Sequence, residues 1–142
     1  MTLAMTKVER ETFLSETRIG VVSISEEERG SLVVPIWYTY IPGGEVSFIM
    51  LKKSRKAKVL ENGKRISMCV HDDALPYRYV SIEGPVTAIE PADLEQDIRT
   101  VGQRYLGRNG GDQHAERMKE EKAILVRMLP ERWYSVDYSK LG

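Results

Sequence analysis

The sequence is poor in the residues that build cross-links and metal centres. Its one cysteine, Cys69, excludes an intramolecular disulfide framework and a cysteine-rich zinc site. Its only histidines are His71 and His114. His71-Asp72-Asp73 is too thin a ligand set to predict a metal, and none is expected. No stretch approaches the ~20 apolar residues of a membrane span, and no secretory hydrophobic segment is seen, so a cytoplasmic protein without membrane association is expected. Net charge is also missing: 21 Lys plus Arg balance 21 Asp plus Glu. That balance argues against nucleic-acid binding through bulk charge and leaves only local basic patches. Glycine-rich dinucleotide and P-loop patterns are absent. No nucleophile–base–acid set is visible and no catalytic residue is assigned, so enzymatic chemistry here would be carried by a bound cofactor.

What is present fits one domain with one core over residues 1–142, with 42% hydrophobic and 30% charged residues. Thr6-Lys7-Val8-Glu9 has capping-box spacing and opens a short helix that Phe13 and Leu14 pin to the body. Strands are expected over residues 18–24, 32–41, 45–51, 65–70 and 77–89, with a closing strand over 123–138 broken near Pro130. Pro35 argues for an edge position, a bulge or a ligand-facing kink in the second strand, and Gly84-Pro85 for a bulge or sharp bend in the fifth. Pro91-Ala92-Asp93 opens a helix with Leu94, Ile98, Val101 and Tyr105 at helical spacing. Residues 107–111 read as a flexible loop, and 112–122 as a charged helix with His114 solvated. This inventory of about six strands, mostly hairpin-connected, predicts a mainly β protein with flanking helices, a closed or nearly closed antiparallel barrel. A barrel this small is filled by side chains, which puts a cofactor on its outside, in a groove between two copies.

The stretch with most chemical content is Ser54 to Gly63. Ser54 reads as an N-cap, yet Arg55, Lys56 and Lys58 crowd the first turns, with Lys52 and Lys53 before them. Cations are unfavourable at the positive end of a helix, and a bound phosphate reverses that. The alternative is a solvated basic helix that tolerates a small repulsion. Trp37, Ile49 and Met50, at strand spacing, fit a core as well as a cofactor wall.

The run Ser54-Arg55-Lys56-Ala57-Lys58-x-Leu60, followed by Arg65-Ile66-Ser67, resembles the pyridoxamine 5′-phosphate oxidase-like flavoproteins of the FMN-binding split-barrel superfamily. Pro35-Ile36-Trp37-Tyr38 and Pro76-Tyr77-Arg78-Tyr79-Val80 are similar to two further strands of that family. Pro76–Val80 with Arg104-Tyr105-Leu106-Gly107 is similar to its flavin/deazaflavin oxidoreductase branch. The resemblance implies a six-stranded, Greek-key-like split barrel, dimeric, with the deazaflavin coenzyme F420 or alternatively FMN at the interface. It implies that Arg55 and Lys56 hold the cofactor phosphate, with Ser54 capping beside it and Lys58 assisting. Val34, Pro35, Ile36 and Trp37 would lie along the ring, Ile49 and Met50 against ring and ribityl chain, and Tyr79 would reach the cofactor from the partner. Trp133 is a further candidate for that wall. The implied activity is hydride transfer to a small conjugated or quinone-like acceptor, with Tyr79, Tyr38 and His71 as candidate proton donors. A non-catalytic flavin- or haem-binding module and a pyridoxamine 5′-phosphate oxidase-like oxidase are the alternatives. The closing residues 133–142 carry no C-terminal arginine motif of the kind that vitamin B6 oxidation requires.

Overall fold

The computed structural model describes residues 2–142. The first helix, α1 (Lys7–Ser15), starts as its spacing predicts. The Thr6 hydroxyl accepts from the Glu9 N–H at 3.2 Å, and the Glu9 carboxylate accepts from the Thr6 N–H at 2.8 Å. Phe13 and Leu14 are buried. The Arg18 and Arg78 guanidiniums lie over the Phe13 ring, 3.7 and 4.9 Å from its centroid, and both pair with Asp72. One aromatic ring thus ties α1 to the segment leading into the first strand and to the strand that Arg78 opens.

Eight strands follow: β1 (Gly20–Ile24), β2 (Leu32–Ile36), β3 (Tyr38–Tyr40), β4 (Val46–Leu51), β5 (Arg65–His71), β6 (Arg78–Pro91), β7 (Ala123–Met128) and β8 (Arg132–Asp137). Every pairing is antiparallel, in the order β2-β1-β5-β6-β7-β4-β3, with β8 also on β6. Strand β6 is long enough to serve both halves. Its first part pairs with β5 and β8, its last part with β7. The two ends of the sheet, β2 and β3, are joined only through Trp37. This is an antiparallel barrel split along that seam, and alternate residues of every strand fill it, Val22, Phe48, Met68, Ile82 and Met128 among the most buried.

The sequence reading counts six strands where there are eight, for two physical reasons. Residues 32–41 break at Trp37, whose neighbour Tyr38 gives its N–H to the Tyr105 hydroxyl at 3.0 Å rather than to a strand. Residues 123–138 break at Pro130, and β8 continues along β6 in the other half. Strand β2, with Pro35, is an edge as expected. The irregularity in β6 falls between Val86 and Ala88 rather than at Gly84-Pro85. Gly84 has a different duty, since a Cβ there would lie 1.7 Å from the Leu129 carbonyl oxygen.

The helical part also differs from its expectation. Asp93 caps a π-helical turn (Leu94–Arg99), accepting from the Gln96 N–H at 2.7 Å, and this runs into α3 (Thr100–Met118). Within 107–111 only Gly107, at φ 77° and ψ 175°, leaves helical geometry, and it folds α3 into two arms. The arms touch backbone to backbone: a Cβ on Gly111 would meet the Gln103 nitrogen at 2.3 Å. Asp112 clamps them, accepting from Arg99 at 2.8 Å and Gln103 at 2.9 Å. The short helix α2 (Arg55–Val59) follows β4, with the Ser54 hydroxyl accepting from the Ala57 N–H at 3.3 Å. Among the described residues, no helix is long and apolar enough to cross a membrane.

Candidate functional site

Strand alternation decides what faces outward from β4. Val46, Phe48 and Met50 are buried in the barrel, so Ile49 and Leu51 point to its outside. There they meet the β2–β3 seam, α2 and the folded α3, and a groove of about 500 Å³ remains between these elements. That volume lies within the range of about 300–1,000 Å³ common for small-molecule sites. Its lining is Ile19, Pro35, Ile36, Trp37, Ile49, Met50, Leu51, Lys56, Ile98, Val101, His114 and Met118. All are apolar except Lys56 at the α2 side and His114 on α3, so the groove is an apolar slot with one cation and one imidazole.

A stack of rings sets its closed wall. The Trp37 indole lies parallel to the Tyr105 phenol at 5.0 Å and 7°, and the His114 ring meets Trp37 edge-on at 5.2 Å. The Tyr105 hydroxyl accepts the Tyr38 N–H and donates to the Arg18 carbonyl at 2.6 Å, fixing helix to seam. Tyr105→Phe leaves that backbone N–H without its partner and is expected to cost about 1–3 kcal/mol. A urea titration checks this: the midpoint should fall while the slope stays constant.

Of the residues singled out in the sequence, Pro35, Ile36, Trp37, Ile49, Met50 and Lys56 come together here. Val34 faces the other way and packs on the core opposite Val22. Ser54 is occupied as a cap, and Lys58 is exposed beside it. Arg55 is held by Glu26 from the acidic β1–β2 turn, so the anion against this guanidinium is supplied by the chain itself. The basic helix has only five residues. Its charge therefore acts through side chains more than through a dipole. Tyr79 lies on the outer face of the β5–β6–β8 half, against Tyr134 at 6.1 Å, outside the groove lining. Trp133 packs on the core beside Tyr40.

The proton-donor candidates separate clearly. Tyr38 is fully buried and donates to the Leu14 carbonyl at 2.7 Å, and burial pushes its phenol well above the ordinary value. His71 is exposed at the end of β5, near Asp73 at 3.6 Å. Burial raises the Cys69 thiol and makes it a poor nucleophile. Among the described residues, no group of three His, Cys, Asp or Glu side chains is arranged to hold a metal ion.

His114 is a correction to the sequence reading, being half-buried in the groove rather than solvated. Ile19, Leu51, Ile98, Val101 and Met118 complete the lining without being marked as site residues by the sequence. A signal existed for the last arm: Gly111, Ala115 and Met118 recur at helical spacing and mark a packed face, with His114 next to it.

Among curated proteins, none matches the sequence. Solved structures do. A conserved hypothetical protein from Mycobacterium tuberculosis is 27% identical with a TM-score of 0.78, over 99% of this chain and 89% of its own. A protein named F420 reductase superposes with a TM-score of 0.70 at 18% identity, over 87% of this chain and 94% of its own. An FAD binding protein from Mycobacterium smegmatis reaches 0.62 at 14% identity, over 92% and 95%. At such identities the last two establish the split-barrel fold alone. The sequence profile described as pyridoxamine 5′-phosphate oxidase matches residues 6–137, nearly the whole chain, and with the barrel in place the chain belongs to that family.

Proposed function

We propose that the chain is an oxidoreductase that holds a flavin or the deazaflavin F420 in the groove outside β4 and works on a small conjugated or quinone-like acceptor. The observation that carries this reading is the groove itself. It offers an apolar slot with room for a ring system, and its lining includes Lys56, which makes no ion pair among the described residues. The residues present fit such a group. Ile49, Leu51 and Pro35 give apolar surface, the Trp37–Tyr105 stack excludes water from one side, and Lys56 meets the phosphate. Arg55 joins it by leaving Glu26. The bound group supplies hydride transfer, and the chain supplies binding, orientation and a dry wall.

The reading includes a homodimer. On the outer face of the β1–β5–β6–β8 half, Val21, Cys69, Ser81 and Tyr134 stand side by side in register. Small residues at its centre and Tyr79 and Tyr134 at its side suit a second copy. The cluster Lys52, Lys53, Lys56 and Lys58 favours a cofactor with an acidic tail, hence F420 over FMN.

The test is a titration of ligand-stripped protein with FMN and with F420, following ligand fluorescence, with sedimentation to read the mass. Preference for F420 supports the deazaflavin, and preference for FMN supports the flavin. Binding to neither overturns the proposal. A cofactor-binding module without turnover is the second reading, favoured if a cofactor stays bound and no acceptor is reduced.

A further inference from the structure

His114 has a place in the groove that no expectation from the sequence gave it. Its ring is fixed from two sides. One edge meets the Trp37 indole at 5.2 Å, and the backbone behind it belongs to Gly102, where a Cβ would come within 3.1 Å of the imidazole Cδ2. Gly102 thus provides the room in which the ring sits. Neither ring nitrogen has a hydrogen-bond partner among the described residues, although the side chain is half-buried in apolar surroundings. With no protein partner taking them up, these nitrogens are open to a ligand atom or water in the groove.

We propose that His114 orients the ligand: its imidazole hydrogen-bonds a polar atom on the edge of the planar ring in the groove, while Lys56 takes the anionic end. The assignment rests on the cofactor groove proposed above. It defines the ligand class as an apolar planar body with a polar edge and a separate negative group. Burial, with Arg117 on the same arm adding to it, holds the imidazole below its ordinary pKa. At neutral pH it is uncharged and presents one donor and one acceptor. The edge of a flavin or deazaflavin carries both carbonyl acceptors and a ring N–H donor, so either tautomer finds a partner.

With two histidines in the chain, the test is clean. Long-range ¹H–¹⁵N spectra of the imidazoles are recorded at pH 7.5, roughly a unit above the ordinary histidine value, while FMN and, separately, F420 are added. The His114 signals, assigned by their loss in His114→Phe, are expected to move on binding, with His71 as internal reference. His114→Phe keeps ring packing on Trp37 and is expected to weaken binding about twofold to tenfold, with His114→Gln recovering part of it. If the wild type binds a cofactor but the His114 signals stay in place and His114→Phe binds equally well, the orienting role is wrong and the cofactor groove survives. If neither FMN nor F420 binds the wild type, the groove reading fails and takes this one with it.

Discussion

Replacing Lys56 with alanine is expected to weaken cofactor binding about tenfold to a hundredfold and to leave the melting temperature unchanged. The size follows from the roughly 1.5–3 kcal/mol of a hydrogen bond to a charged group, at about 1.4 kcal/mol per decade. The neutral effect on folding follows from its surroundings, since among the described residues no carboxylate pairs with Lys56 and none is stranded by its loss. Arg55→Ala is expected to cost less, because Glu26 already holds that guanidinium and must be displaced before a phosphate is reached. Glu26→Gln then has the opposite sign and tightens binding. Fluorescence titration of the three variants with FMN ranks them. Equal affinity for Lys56→Ala and wild type removes the lysine from the site. A loss that persists undiminished at high salt argues for damage to the groove instead, because an exposed phosphate contact is screened.

Much of this site was legible because it lies on strands and beside a capped turn. Period-two alternation separates Ile49 from Met50, and Ser54 with its basic followers announces a helix start. What alternation cannot give is which side of a barrel a second element covers. Met50 reads as a wall residue in the sequence, yet its side chain fills the core at 3% exposure and only touches the groove floor. Val34 turned inward for the same reason. Arg55 was read as needing solvent or a bound anion, and the anion is Glu26, 29 residues earlier, a pairing only the tertiary fold brings about.

The helical cover was the least legible part. A row of glycines, Gly107, Gly110 and Gly111, reads as a loop on propensity, because each costs about 1 kcal/mol in a helix relative to alanine. The fold uses them otherwise: Gly107 turns the chain, and Gly111 lets two helical arms touch. Packing overrode propensity there, and with it moved His114 from solvent into the groove. The acidification response follows from that position. A histidine whose folded pKa lies below its unfolded value takes up protons more readily when unfolded, so stability present above about pH 6.5 is lost as pH falls through the folded pKa.

The largest expected effect on folding is at Gly84. An alanine there sets a methyl group 1.7 Å from the Leu129 carbonyl oxygen, a separation no pair of atoms sustains. Relief is blocked on both sides. On one edge Gly84 stands opposite Ile66 of β5. On the other, the Leu129 N–H donates to the Pro85 carbonyl at 3.1 Å and the Glu131 N–H to the Glu83 carbonyl at 2.9 Å, which clamp the β7–β8 connection to β6. Separating the chains breaks those bonds, at about 0.5–1.5 kcal/mol each, on top of about 1–3 kcal/mol of overpacking strain. A total of about 2–6 kcal/mol is a large share of the 5–15 kcal/mol typical of a domain, and roughly 7–20 °C in Tm. The displacement travels: β7 pairs with β4 through residues 123–128, so the Ile49–Leu51 wall moves with it and cofactor affinity falls too. Gly30→Ala is the matched control, since a Cβ there meets nothing within 4 Å and its φ is not positive. A thermal melt in which the two variants behave alike would mean that the connection yields more easily than its two hydrogen bonds allow, and that the close approach at Gly84 does not hold the halves of the barrel together.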